Sequence, residues 1–124
     1  MLSSSKVISF VATKNAAKAR TFYEEKLGLA FVEESPFALE FDCGGTMLRV
    51  QKVQELSPAQ HTVLGWDVAD IRKEIWALTK KGVVFERYGF LAQDDQGIWT
   101  APSGAKIAWF KDPDGNTLSL TQFD

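Results

Sequence analysis

The sequence predicts an α+β fold of two βαβββ modules. Three observations lead there: one order of strand-like and helix-like segments runs twice through the 124 residues, each half opens its helix with a capping side chain, and each closes it with glycine.

Val7 to Ala12 is a short run rich in β-branched and aromatic residues, broken by Thr13-Lys14-Asn15, and it predicts a buried strand. Asn15 is a good helix N-cap. Ala16 to Leu27 then places Ala19, Phe22, Tyr23 and Leu27 at helical spacing, and Gly28 is free to take the left-handed conformation that ends a helix. Leu29 to Glu33 starts a second strand. Beyond Pro36, Phe37 to Asp42 and Thr46 to Val50 form a strand pair around the Cys43-Gly44-Gly45 turn. The polar stretch Gln51 to Gln60, with Pro58, connects the halves.

The order then recurs. His61 to Asp67 is a strand, Asp70 a cap, and Ile71, Ile75 and Leu78 a helix stripe that stops at Gly82. Val83 to Arg87 is the next strand. A polar stretch containing Gly89, Asp94, Asp95 and Gly97 leads to strands at Ala105 to Lys111 and Asn116 to Thr121, joined by Asp112-Pro113-Asp114-Gly115, which suits a type I turn closed by a left-handed glycine. Superposing cap Asn15 on cap Asp70 pairs Ile8 with Val63. At the far ends Leu48-Arg49-Val50 matches Leu118-Ser119-Leu120, at a larger offset that accommodates the longer second-half loop. A single domain over 1–124 is expected, with module one at about 5–52 and module two at about 60–124.

Bulk properties narrow the function. A chain 45% hydrophobic and 24% charged has the composition of a self-folding globular domain. Its formal charge of -2, with scattered Lys and Arg, offers no basic stripe for nucleic acid. The single cysteine, Cys43, excludes an internal disulfide and suits a reducing compartment, where it acts as a small hydrophobe beside a turn. Met1 to Lys6 runs into an apolar stretch too short for a signal peptide, and no run approaches a membrane span, so a cytoplasmic location without a membrane partner is expected.

Two segments carry a family likeness: Thr21-Phe22-Tyr23-Glu24-Glu25-Lys26-Leu27-Gly28 after the first strand, and Trp109-Phe110-Lys111-Asp112-Pro113-Asp114-Gly115-Asn116 before the last. In this order around a βαβββ repeat, the chain resembles the vicinal oxygen chelate superfamily, which includes glyoxalase I, extradiol dioxygenases, fosfomycin-resistance transferases and bleomycin-resistance binding proteins. The resemblance implies a curved mixed sheet around a central cavity, with helices on the outer face. It also implies a concave surface holding a substrate that chelates a divalent metal. Four positions would donate the metal ligands, two mid-way along the first strands and two near the ends of the last.

Carried over residue by residue, those positions are Ile8, Val63, Arg49 and Ser119. Ile8 and Val63 have no lone pair, Ser119 is a poor donor, and a permanently protonated arginine repels a cation. No metal and no other cofactor is therefore expected. Strand alternation turns Phe10, Met47, Gln51, His61, Gly65, Thr117 and Thr121 toward the same concavity, with Glu40, Asp42, Trp109 and Lys111 by analogy. Arg49 has two readings: an anchor for an anionic or carbonyl-bearing ligand, or an internal ion pair with Glu40 or Asp42. His61 is either solvated and structural or a ligand contact, Trp109 with Phe10 either a stacking wall or core, and Trp99 either a cap over the mouth or an anchor for its loop.

The expected function is small-molecule binding or sequestration, similar to the bleomycin-resistance proteins, by a homodimer. Its ligand contacts would be Arg49, Phe10, Trp109, Gln51, His61, Ser119 and Trp99, and its ligand anionic or aromatic. Two alternatives stand beside it. One is a glyoxalase-like lyase or dioxygenase with a metal site rebuilt from His61 and Glu40, Asp42 or Asp67. The other is a ligand-free dimeric interaction module using Trp76 or Tyr88. No nucleophile, base and orienting group stand out as a catalytic set.

Overall fold

Both helices begin at the capping residues. In a computed structural model describing residues 1–124, Asn15 accepts a hydrogen bond from the Lys18 amide at 3.1 Å and Asp70 one from the Lys73 amide at 3.2 Å. Each cap is worth about 1 kcal/mol. The first helix, α1 (Ala16–Arg20), continues as π-helical turns over Thr21–Lys26 before Gly28 ends it at φ +74°. Widening of these turns lets the sequence neighbours Phe22 and Tyr23 both be buried, with their rings edge to face at 5.2 Å.

Module one contributes β1 (Ile8–Thr13), β2 (Ala30–Glu34), β3 (Ala38–Cys43) and β4 (Thr46–Lys52), in the sheet order β1-β4-β3-β2. Module two contributes β5 (Leu64–Asp67), α2 (Ile71–Lys80), β6 (Trp99–Thr100), β7 (Lys106–Lys111) and β8 (Thr117–Gln122), in the order β5-β8-β7-β6. The β1/β4 and β5/β8 pairs are parallel and the others antiparallel, giving two mixed sheets of one topology.

Two strand expectations need correction. Val83 to Arg87 is not a full strand: Phe85 makes a single antiparallel bridge to Phe110, and the Glu86 amide donates to Trp109 O at 2.7 Å. The rest of that edge of β7 is taken by Trp99–Thr100, which the sequence placed after a polar loop. The expected strand is thus split in two by the excursion 88–98, which Gln93 fastens by bonding Tyr88 N, Glu86 O and Gly97 O. The strand expected from His61 starts only at Leu64, although the Val63 amide still donates to Thr117 O.

The register reproduces the repeat. In module one Phe10, Arg49 and Glu40 form a row across three strands; in module two the row is Gly65, Ser119 and Trp109. Alternate residues of the sheets enter a shared core of 17 buried side chains with both helices, among them Val11, Phe22, Tyr23, Phe41, Leu48, Ile71, Ile75, Phe110 and Leu118. The opposite sheet faces are left largely open, with Phe10 53% exposed.

A polar clasp joins the modules. Asp112 is buried and accepts hydrogen bonds from Tyr23 Oη (2.6 Å), Asn116 Nδ2 (2.8 Å), and the amides of Asp114 and Asn116 (2.9 Å each). Asp114 in turn accepts from Thr13 Oγ1 (2.5 Å) and the Lys14 amide (2.8 Å), and Asn116 Nδ2 also donates to Ala12 O. The Asp-Pro-Asp-Gly-Asn turn of module two therefore holds the strand-to-helix corner of module one. No helix is long and apolar enough to cross a membrane.

Candidate functional site

On the open face of module two, β6 and β7 raise a wall of aromatic rings. Trp109 and Trp99 lie 6.2 Å apart and tilted, Tyr88 meets Trp109 edge to face at 5.6 Å, and Phe90 lies 5.7 Å from Tyr88. The opposite wall comes from the inter-module connection ahead of β5: Pro58, Ala59, Gln60, His61 and Thr62. Between them is a cleft of about 830 Å³, with Leu91, Lys111, Gly115 and Thr117 completing its lining. The Trp109 indole N–H donates to Thr62 Oγ1 at 3.1 Å, which fixes the ring's orientation and leaves its face to the cleft. Burial, and then the Glu86 carboxylate, push the Tyr88 phenol up, so it stays a neutral hydroxyl.

Ser119 lies beside Trp109 in the sheet but is buried, and does not line the cleft. The reason is Gly65 opposite it: a Cβ at Gly65 would approach Ser119 Oγ to 2.7 Å, so glycine is what gives the hydroxyl its space. Trp66, two strands from Trp109, faces the other way and stacks on Phe110 at 6.3 Å.

Of the residues expected at the site, His61, Trp99 and Trp109 are brought together. Phe10, Arg49 and Gln51 are not: they occupy the open face of module one, where Arg49 pairs with Glu40. Arg49 thus makes an ion pair with Glu40 on the neighbouring strand. The stacking wall of Trp109 with Phe10 does not form, because Trp109 takes Tyr88 and Trp99 as its neighbours instead. Trp99 opens a strand rather than riding a loop. Sequence reasoning missed Tyr88, Phe90 and Leu91 as cleft walls. The signal was there in Tyr88-Gly89-Phe90-Leu91, an apolar cluster inside a stretch otherwise polar.

A metal does not fit the positions the fold would use. Ile8 and Val63 are hydrocarbon, Arg49 is a paired cation, and Ser119 is enclosed beneath Gly65. The rebuilt set fails as well: Glu40 is held by Arg49, Asp42 accepts the Gly45 amide in its turn, and no three His, Cys, Asp or Glu side chains converge anywhere in the chain. Cys43 is half-buried at the end of β3, and burial and the Asp42 charge raise its thiol above the ordinary range, which keeps it in the unreactive protonated form.

The family model described as the Glyoxalase/Bleomycin resistance protein/Dioxygenase superfamily matches residues 7–120. The chain belongs to this superfamily. Solved structures of the superfamily share its vicinal oxygen chelate fold over almost their full lengths. A glyoxalase family protein from Enterococcus faecalis is 24% identical with a TM-score of 0.76, covering 98% of this chain and 100% of its own. A lactoylglutathione lyase from Agrobacterium tumefaciens is 17% identical at 0.75, covering 97% and 95%. The bleomycin resistance determinant encoded on the transposon Tn5 is 19% identical at 0.75, covering 96% and 98%. No curated protein matches the sequence.

Proposed function

We propose that this superfamily member binds, or sequesters, a small aromatic molecule in the module-two cleft without the help of a metal, in the manner of the bleomycin-resistance-type proteins. The observation that carries the reading is the convergence of Trp99, Trp109, Tyr88 and Phe90 on one open cleft of about 830 Å³. Its volume is of the size that encloses a drug-sized ligand, and its lining of rings with a few polar groups is the usual composition of such sites. The donor set at the four family positions supports independence from metal, since none of Ile8, Arg49, Val63 and Ser119 is a competent ligand as arranged.

The working form is a homodimer. On the open face of module one, Ile8, Phe10, Val32 and Met47 are exposed, an apolar surface that a lone soluble domain rarely leaves to water. Sedimentation should give twice the mass of 13.8 kDa, and Phe10→Asp should lower it toward the monomer; a wild-type monomer at high concentration removes the dimer from the reading.

For the binding itself, a panel of aromatic acids, antibiotics and metabolites is screened by melting temperature. Binders should raise it, and Trp109→Ala should abolish the rise. A panel without one stabilising compound, or a rise unchanged by Trp109→Ala, counts against the cleft. Loading with zinc, nickel, manganese or iron followed by elemental analysis should leave no stoichiometric metal; retention of one ion per chain would overturn metal independence.

A further inference from the structure

We infer that the ligand of this cleft carries an anionic group on its planar ring, held by Lys111. The inference rests on the aromatic-cleft reading above and adds the sign of the charge. Among the residues lining the cleft, Lys111 and His61 are the ionisable side chains that can be cationic, and no aspartate or glutamate lines it. The field inside an apolar-walled cleft is set by the few charges that reach it, so this asymmetry fixes which ligands are drawn in.

Geometry places the charge at the right distance from the rings. Lys111 and Trp109 share a face of β7, two residues apart, which separates their Cα atoms by about 6.8 Å. A ring lying on the Trp109 face would carry an acidic substituent within reach of the lysine's flexible stem. Lys111 is also free to respond. Its nearest carboxylate, Glu86 Oε1, stands 3.8 Å away, well beyond the roughly 2.8 Å of a direct charge-assisted hydrogen bond, and the lysine side chain is 49% exposed. Arg49, by contrast, already has Glu40.

The repeat sharpens the assignment. Lys111 pairs with Thr117 in module two where Asp42 pairs with Met47 in module one, so the same row carries opposite charges in the two halves. Beside Lys111, the buried Thr117 donates its hydroxyl to Ala59 O at 3.5 Å.

The test compares three probes with one ring system: 2-naphthoate, 2-naphthalenemethanol and 2-naphthylmethylammonium. Affinities are read at neutral pH from the indole N–H resonances of Trp99 and Trp109. The naphthoate should bind about three- to fivefold more tightly than the alcohol, the range of a solvent-accessible ion pair, and the ammonium most weakly. Lys111→Gln should bring the naphthoate-to-alcohol affinity ratio down to about one, while Glu86→Gln should widen it. If the alcohol or the ammonium binds as well as the naphthoate, or the ratio survives Lys111→Gln, the anionic assignment is overturned and the aromatic cleft stands. If no probe moves either indole resonance, both fall.

Discussion

Asp112→Ala should destabilise the fold more than any exposed substitution, and the size of the loss follows from its contacts. The carboxylate accepts four hydrogen bonds, at 2.6 to 2.9 Å, from Tyr23, Asn116 and two turn amides. A hydrogen bond to a charged group contributes about 1.5–3 kcal/mol net, but the four share one network and cannot be summed. Asn116 is buried, but the Asp114 amide, on a partly buried residue, can be re-solvated. Tyr23 Oη cannot, since its side chain is fully buried. The net loss is therefore about 4 kcal/mol, chiefly a stranded tyrosine hydroxyl and a slackened clasp. For a domain of this size about 1 kcal/mol shifts the melting temperature by roughly 4 °C, so calorimetry should record a fall of about 15 °C.

Tyr23→Phe isolates one bond of that network. It deletes the donor and leaves Asp112 with three, and should cost about 1.5 kcal/mol, or roughly 6 °C. The double variant should then cost less than the two single losses added, because the stranded hydroxyl exists only when tyrosine remains. An Asp112→Ala loss below about 5 °C, or strictly additive losses, would refute the view that the Asp-Pro-Asp-Gly-Asn turn is a clasp between modules and leave it a turn alone.

Three further outcomes follow from other sites. Gly65→Ala should cost about 1–3 kcal/mol by forcing a Cβ against Ser119 Oγ, and adding Ser119→Ala should restore most of it; unfolding in urea checks both. Burial, and then the Asp112 charge, push the Tyr23 phenol far above its ordinary 10.0, so the folded state holds a proton that the unfolded chain releases: stability is intact below pH 10, falls as pH rises beyond it, and Tyr23→Phe should flatten that alkaline limb in denaturation at pH 9 to 11. Burial raises the Asp94 carboxyl, but the Ile98 and Gln96 amides and Arg72 together hold it below 3.8, so its contribution is present above that value and lost as pH falls beneath it; the Trp99 indole resonance should broaden in acid, and Asp94→Asn should show the same broadening at neutral pH.

Local chemistry made the fold legible. Asn15 and Asp70 are caps because their oxygens accept an amide three residues on, and that signal needs no tertiary context. The pairing of Arg49 with Ser119 across the repeat was legible for the same reason, since strand register follows from the pattern of alternation. What could not be read was competition for an edge. Val83 to Arg87 has strand composition, yet β7 gives only part of its edge to it because Trp99–Thr100 takes the remainder, and that choice depends on how the 88–98 excursion folds back through Gln93. The candidate site suffered from the same limit. Trp109 takes its ring neighbours from that excursion and from β6 rather than from β1, so Tyr88 and Phe90 are invisible to a face-by-face reading. Asp112 and Asn116 were legible as a turn; that the turn reaches Tyr23 and Ala12 is a contact across about a hundred residues, which no local pattern encodes.

The missing metal ligands and the aromatic cleft have one physical origin in the way the duplicated row diverged. In module one the row Phe10, Arg49, Glu40 is filled by a ring and an ion pair. In module two the matching row holds an exposed glycine, Gly65, a buried serine, Ser119, and one large ring, Trp109, beside them. A single substitution cannot reverse this. Ser119→Glu would supply one carboxylate, but it would have to displace the Gly65 contact, and Ile8, Val63 and Arg49 would still offer two hydrocarbons and a cation where a divalent ion needs converging donors. The same substitution would put a negative charge in the row of Trp109, beside the cleft. Regaining a metal and holding the proposed anionic aromatic ligand would therefore place opposed demands on the same few residues.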